Sequence, residues 1–170
     1  FTPRKTDEEY LLMAYRTATK SPDPSTQNGA VIPYDLGIGW GESYCTACNE
    51  FPRKVKSKPE RLERPLKYNY IEHAERNVIF EAVRNGIFGN HDLTMFVPWF
   101  ACADCARAII QVGIKKVVGH KHMFDKTPDH WKESIGAALQ MLEEAGVETK
   151  LVDAKLNGPE IRFNGELWRP

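Results

Sequence analysis

Residues 73–119 read HAERNVIFEAVRNGIFGNHDLTMFVPWFACADCARAIIQVGIKKVVG, and the architecture turns on this stretch. Two segments within it, 73–85 and 102–112, carry apolar residues at helical spacing. Each runs into a glycine, Gly86 and Gly113, the residue suited to the left-handed backbone at a helix C-terminus. Short β-rich apolar segments follow them, 93–98 and 114–119. Downstream the alternation continues with a helix over 131–145 stopped at Gly146 and a strand over 147–152. Such alternation predicts an α/β layer architecture with parallel crossovers in the second half of the chain.

Upstream of this stretch, 7–20 places Leu11, Ala14, Tyr15 and Ala18 on one helical face, opened by Thr6 as cap and closed by Ser21, Pro22, Asp23 and Pro24. Segments 29–33 and 37–41, separated by Tyr34, Asp35 and Leu36, read as an antiparallel hairpin. Five strands are thereby available, and 161–168 around Asn164 and Gly165 predicts a small terminal hairpin.

With 170 residues, 42% of them hydrophobic, the chain suffices for one core and falls short of two ordinary domains. Lys plus Arg and Asp plus Glu balance at 23 each, so no overall field draws the protein to nucleic acid or an acidic membrane. No apolar run approaches the roughly 20 residues that span a bilayer, and nothing near Phe1 resembles a signal peptide. The numbering begins at Phe and not Met, so residues before it are open. The four cysteines form two Cys-x-x-Cys pairs, Cys45 with Cys48 and Cys102 with Cys105, a spacing of metal or redox sites in reduced compartments, which makes a cytoplasmic location the default.

On a wheel of 100° per residue, Ala74, Val78, Ile79, Ala82 and Val83 make one stripe of the helix beginning near His73, with Arg76, Asn77, Glu81 and Arg84 opposite. Glu75 falls inside the apolar stripe. A carboxylate aimed at a core is costly unless it is paired, protonated or near a metal. Cys102 and Cys105 share a face with Ala106 and Ile109, so their sulfurs converge at the start of a helix, where thiol pKa falls and one ion can take both. With His73 they supply three zinc ligands, which leaves a fourth position for water. Cys45 and Cys48 lack a matching histidine and read as free thiols. His120 and His122 alternate at a strand end and could bind metal, but a surface position is the commoner one and is expected here.

The run His73, Ala74, Glu75 followed by Cys102, Ala103, Asp104, Cys105 resembles the cytidine and deoxycytidylate deaminase superfamily. The likeness extends to Ser21, Pro22, Asp23, Pro24, to Gln27 through Ala30, to Asn49, Phe51, Pro52, Arg53, to Asn77, and to Cys105 through Gly113 and Ile114, covering roughly residues 8–120. It implies a three-layer α-β-α fold with a central mixed five-stranded sheet. Residues 1–152 would be a zinc-dependent deaminase domain and 153–170 a C-terminal extension. It also implies homo-oligomers and a cytosine nucleotide, foremost dCMP, as small-molecule partner. His73, Cys102 and Cys105 would hold Zn2+, and Glu75 would pass a proton from water to N3 and assist departure of the C4 nitrogen. Asn49 would bind the sugar hydroxyl, with Ala74 and Arg53 also at the substrate.

Three positions depart from the superfamily pattern: Ala101 stands where Pro is usual, Glu50 where Gly is usual, and Cys48 where an aromatic is usual. Proline there mainly restricts the unfolded chain, so Ala101 costs about 0.4–1 kcal/mol and leaves the thiolate in place. Segment 53–67 holds seven Lys or Arg against two Glu, a local match for a phosphate, with Arg53 nearest the motif. Trp99 and Phe100 precede the ligands and belong to the pocket wall or the core. Alternatives are a zinc deaminase of an adenine or guanine compound and a nonenzymatic zinc module closed by Cys45, Cys48 or His91. A nucleic-acid editing enzyme is opposed by the zero net charge.

Overall fold

A computed structural model describes residues 4–37, 39–88 and 92–170. Its five-stranded sheet comprises β1 (Gly29–Asp35), β2 (Glu42–Cys48), β3 (Thr94–Phe96), β4 (Lys116–His120) and β5 (Glu148–Val152), in the order β2-β1-β3-β4-β5. β1 runs antiparallel to β2 and β3, whereas β3, β4 and β5 are mutually parallel. The mixed sheet expected from the resemblance is the one observed.

Side chains alternate across a strand, and here the alternation builds two cores. Ala30, Ile32, Met95 and Val117 pack with α2 (Ala74–Arg84), α3 (Ala103–Val112) and α5 (Asp129–Glu144). Val31, Phe96, Val118 and Val152 pack on the other side with α1 (Asp7–Ala18), with Met123 of the short α4 (Lys121–Phe124) and with the terminal hairpin. The three layers follow from this division. Gly113 closes α3 at φ 85°, and Gly86 and Gly146 do the same after α2 and α5. Thr6 opens α1 with a capping box: its hydroxyl accepts from the Glu9 amide at 3.2 Å and the Glu9 carboxylate accepts from the Thr6 amide at 2.7 Å.

The predicted partner of β1 is displaced. Residues 37 and 39–41 form a glycine-rich turn, with Ile38 outside the described residues, and the pairing strand begins at Glu42. The hairpin β6 (Ile161–Phe163) and β7 (Glu166–Trp168) turns on Asn164 and Gly165, both at positive φ as a two-residue type I′ turn requires. It is stitched to the chain's first loop by Gln27 N–H to Arg162 O at 2.9 Å and Gly165 N–H to Ser25 O at 2.8 Å.

Gly29 sets how closely α1 lies on β1. A Cβ there would stand 2.1 Å from Ala14 O and 2.7 Å from Ala18 N, both backbone atoms that cannot step aside alone. Gly29→Ala is therefore expected to lower stability by about 1–3 kcal/mol or more, read as a fall in the urea midpoint; an unchanged midpoint would contradict this packing.

Candidate active site

Helix starts position the chemistry. His73 is the residue before the first turn of α2 and Cys102 the residue before the first turn of α3, both with extended backbone. Cys105 lies one turn into α3 and is fully buried with Ala106 and Ile109, the face read from the sequence. His73 Nδ1 lies 3.5 Å from Cys102 Sγ and 3.5 Å from Cys105 Sγ. Zinc bonds of about 2.3 Å to sulfur and about 2.0–2.1 Å to nitrogen, at tetrahedral angles, need N to S separations of about 3.6 Å. The donor set fits, and two thiols with one imidazole is a zinc combination. Cys102 is held well below the ordinary thiol range by hydrogen bonds from Cys105 and His73, so the thiolate form that binds metal is favoured. Arg76 stands behind it, Nη1 3.7 Å from Cys105 Sγ and Nε 2.6 Å from Glu72 Oε1.

Glu75 is 3% exposed and lines the same cleft as His73 and Cys102. Burial pushes its carboxyl up to about 7, the charge of His73 opposing and that of Cys102 adding to the rise. Val83, placed in the apolar stripe with it, is instead 53% exposed, because the sheet is reached only by Ala74, Val78, Ile79 and Ala82.

A β-bridge between Glu50 and Glu72 closes a long excursion of the chain and brings Asn49 beside Ala74. Asn49 Oδ1 accepts from the Ala74 amide at 2.9 Å, and Asn49 Nδ2 donates to Thr26 O at 3.2 Å. The amide keeps one N–H and one lone pair for other use. Ala74 presents no free amide, since Asn49 has taken it. Ser21 and Asp23 carry this platform: the Ser21 hydroxyl donates to Asn49 O at 2.5 Å, and Asp23 accepts from Lys67 Nζ at 3.0 and 3.1 Å. Both side chains of that ion pair are buried. Lys67→Met would strand the Asp23 carboxylate and is expected to destabilise by about 3–5 kcal/mol in urea titration; a variant as stable as the parent would show that Asp23 is satisfied without it.

The cleft has a narrow inner end of about 20 Å3, lined by Asn28, Asn49, His73, Glu75, Cys102 and Trp131 among others. That volume suits a water-sized group. It continues into an outer chamber of about 270 Å3 that shares Asn49, His73, Trp99, Cys102 and Trp131 and adds Arg64, Lys67, Tyr68 and Arg76. Trp99 is fixed by Asn28, which accepts from its amide at 3.3 Å and donates to its carbonyl at 3.2 Å, and meets Trp131 edge to face at 5.7 Å. Phe100 faces the inner end but is 2% exposed and belongs to the core.

Arg53 is elsewhere. It lines a separate surface groove of about 460 Å3 with Lys20, Phe80 and Arg84, and its guanidinium lies 4.0 Å from Glu81. Cys45 and Cys48 are free and buried, and neither belongs to the ligand group; His91 lies outside the described residues. His120, expected at the surface, is wholly buried, Nδ1 2.6 Å from the Tyr15 hydroxyl and Nε2 2.8 Å from Ala154 O. Asn28, inside the Gln27 to Ala30 stretch but given no role there, and Trp131, which no motif singled out, build the cleft. Trp131 could be read only as the start of a helix, since nothing near it in sequence ties it to His73.

One imidazole and two thiols as the metal-ligand group among the described residues, in one cleft with a buried carboxylate, fit a zinc-dependent hydrolytic enzyme. The family described as the cytidine and deoxycytidylate deaminase zinc-binding region matches residues 4–121. The chain is 34% identical over 147 residues to an uncharacterized deaminase in the luxG 3′ region of Aliivibrio fischeri, covering 83% of this chain and 89% of that one. It is 31% identical over 167 residues to the deoxycytidylate deaminase of Mus musculus, covering 96% and 88%. The apo crystal structure of dCMP deaminase from cyanophage S-TIM5 shares the fold, with a TM-score of 0.61 at 19% identity over 89% of this chain and 100% of that one. The chain belongs to the cytidine and deoxycytidylate deaminase family, and its cofactor is Zn2+.

Proposed function

We propose that the protein hydrolyses a cytosine nucleotide, dCMP before others, to the uracil nucleotide and ammonia. The observation that carries this reading is the buried Glu75 carboxyl in the same cleft as His73, Cys102 and Cys105, within a chain of this family and alongside a deoxycytidylate deaminase relative. Zinc held by His73 Nδ1 and the two thiolates supplies a Lewis acid that brings the pKa of water toward neutrality. Glu75 takes the proton from that water and delivers it to N3 of the pyrimidine as the bond from oxygen to C4 forms. It then takes the second proton from the new C4 hydroxyl and passes it to the C4 nitrogen, whose bond to C4 breaks to release ammonia and leave the uracil carbonyl. A carboxyl raised by burial and drawn down by a nearby cation exchanges protons near neutral pH, which is what both steps need.

Asn49 gives its remaining N–H and lone pair to the sugar hydroxyl, and Ala74 acts by orienting that amide. Trp99 and Trp131 wall the base off from water. The outward pair Phe80 and Val83 on α2, each 53% exposed, supports a homo-oligomer. The free thiols support a cytoplasmic location, and among the described residues no helix is long and apolar enough to cross a membrane. Zero net charge supports a small nucleotide over a nucleic acid.

Ammonia release across a panel of bases, nucleosides and nucleotides tests the reading, with dCMP expected to turn over fastest. Activity confined to adenine or guanine compounds would move the chemistry to another base. A zinc-loaded protein inert toward the whole panel would leave a nonenzymatic zinc module.

A further inference from the structure

The basic excess of segment 53–67 divides between two clefts. Of its seven cations, only Arg64 and Lys67 line the cleft that holds the metal ligands. Arg53 lies in the separate groove, and Arg61 is turned onto the Tyr70 ring at 4.4 Å with its Nη1 on Lys56 O. The cations that do line the outer chamber differ in what already faces them. The Lys67 ammonium is matched by the buried Asp23 carboxylate at 3.0 Å. Arg76 is tied to Glu72 and stands 3.9 Å from Asp104. Arg64 alone among these three has no carboxylate within ion-pair distance among the described residues. It also lines only the outer chamber and no part of the inner end.

Orientation follows from the two ends. The reacting C4 must lie at the inner end beside His73, Cys102 and Glu75, and Asn49 flanks it at the sugar. The 5′ substituent of a nucleotide therefore points outward, into the chamber whose lining includes Arg64, Lys67 and Arg76. A phosphate monoester is close to a dianion at neutral pH, and a guanidinium without a competing carboxylate offers it two parallel N–H donors. We propose that Arg64, and not Arg53, receives the 5′-phosphate and sets the preference for a nucleoside monophosphate over the nucleoside. This rests on the cytosine nucleotide reading above and names the residue that discriminates within it.

Arg64 is exposed, so Arg64→Ala should fold as the parent does, and circular dichroism melting checks this. The expected result is a fall of about 10- to 100-fold in kcat/KM for dCMP, carried mostly by KM, with deoxycytidine turnover unchanged. Arg64→Lys should recover part of the loss, Arg53→Ala should change neither substrate, and inorganic phosphate should inhibit the parent competitively but Arg64→Ala only weakly. An equal loss on dCMP and deoxycytidine, or no loss on either, overturns the assignment of Arg64 while leaving the deaminase reading intact. A parent enzyme that turns over no cytosine nucleotide overturns the reading itself, and the assignment with it.

Discussion

Glu75→Gln is expected to cut kcat on dCMP by at least about 10^2- to 10^4-fold while the protein keeps one zinc per chain. Gln has nearly the shape of Glu and keeps a hydrogen-bonding head, but it neither takes a proton from water nor gives one to N3 or to the leaving nitrogen. In the proposed mechanism two proton movements depend on one side chain, so the loss should sit at the upper end of that range or beyond it. Stability supplies a second sign. Glu75 is 3% exposed and burial opposes its charge, so the neutral replacement should leave the melting point unchanged or raise it. A carboxylate serving as a structural anchor would behave in the opposite way, with lower stability and kept turnover. Steady-state kinetics, metal content and thermal melting on one preparation separate the two.

His73→Ala should lose both metal and activity. Its Nδ1 is one of the three proposed donors, and without it Cys102 and Cys105 remain as two sulfurs at the start of α3. Loss of an outer partner such as Arg76 would weaken zinc by about 10–100-fold, so loss of a direct ligand should exceed that. Chelator competition measures the affinity, and the cobalt-substituted parent should show thiolate charge-transfer bands that the variant lacks. Removing zinc from the parent with a chelator should abolish turnover and lower the melting point, both restored by added zinc, because a ligand bound only by the folded state stabilises it. A His73→Ala protein with full zinc content and parental kcat would contradict the ligand assignment.

What the sequence made legible was local. Glu75 in an apolar stripe, and two cysteines one helical turn apart, are patterns a few residues long, and they survive into three dimensions because each sits at the start of a helix. The layer architecture was legible for a similar reason, since α2, α3 and α5 each end on a glycine at positive φ before a strand begins. Where the reading departs, the deciding contact is distant or the direction of a loop matters. The glycines at 37, 39 and 41 look like part of an alternating strand, yet each has positive φ and the pairing strand follows them. Arg53 sits next to the Asn49 motif in sequence, but the excursion after the Glu50 to Glu72 bridge carries it to another groove while returning Arg64 to the cleft. Asn28 and Trp131 reach the site from positions 45 and 58 residues away from His73, counted as 73 − 28 and 131 − 73. No window of local sequence contains that information.

X-ray absorption at the zinc edge reads the metal's coordination shell itself. Two sulfurs at about 2.3 Å, one imidazole nitrogen at about 2.0–2.1 Å and a fourth light atom that exchanges with solvent or ligand are expected. A third sulfur, or a second histidine filling that fourth place, would contradict this coordination, because Glu75 would then have no activated water to deprotonate.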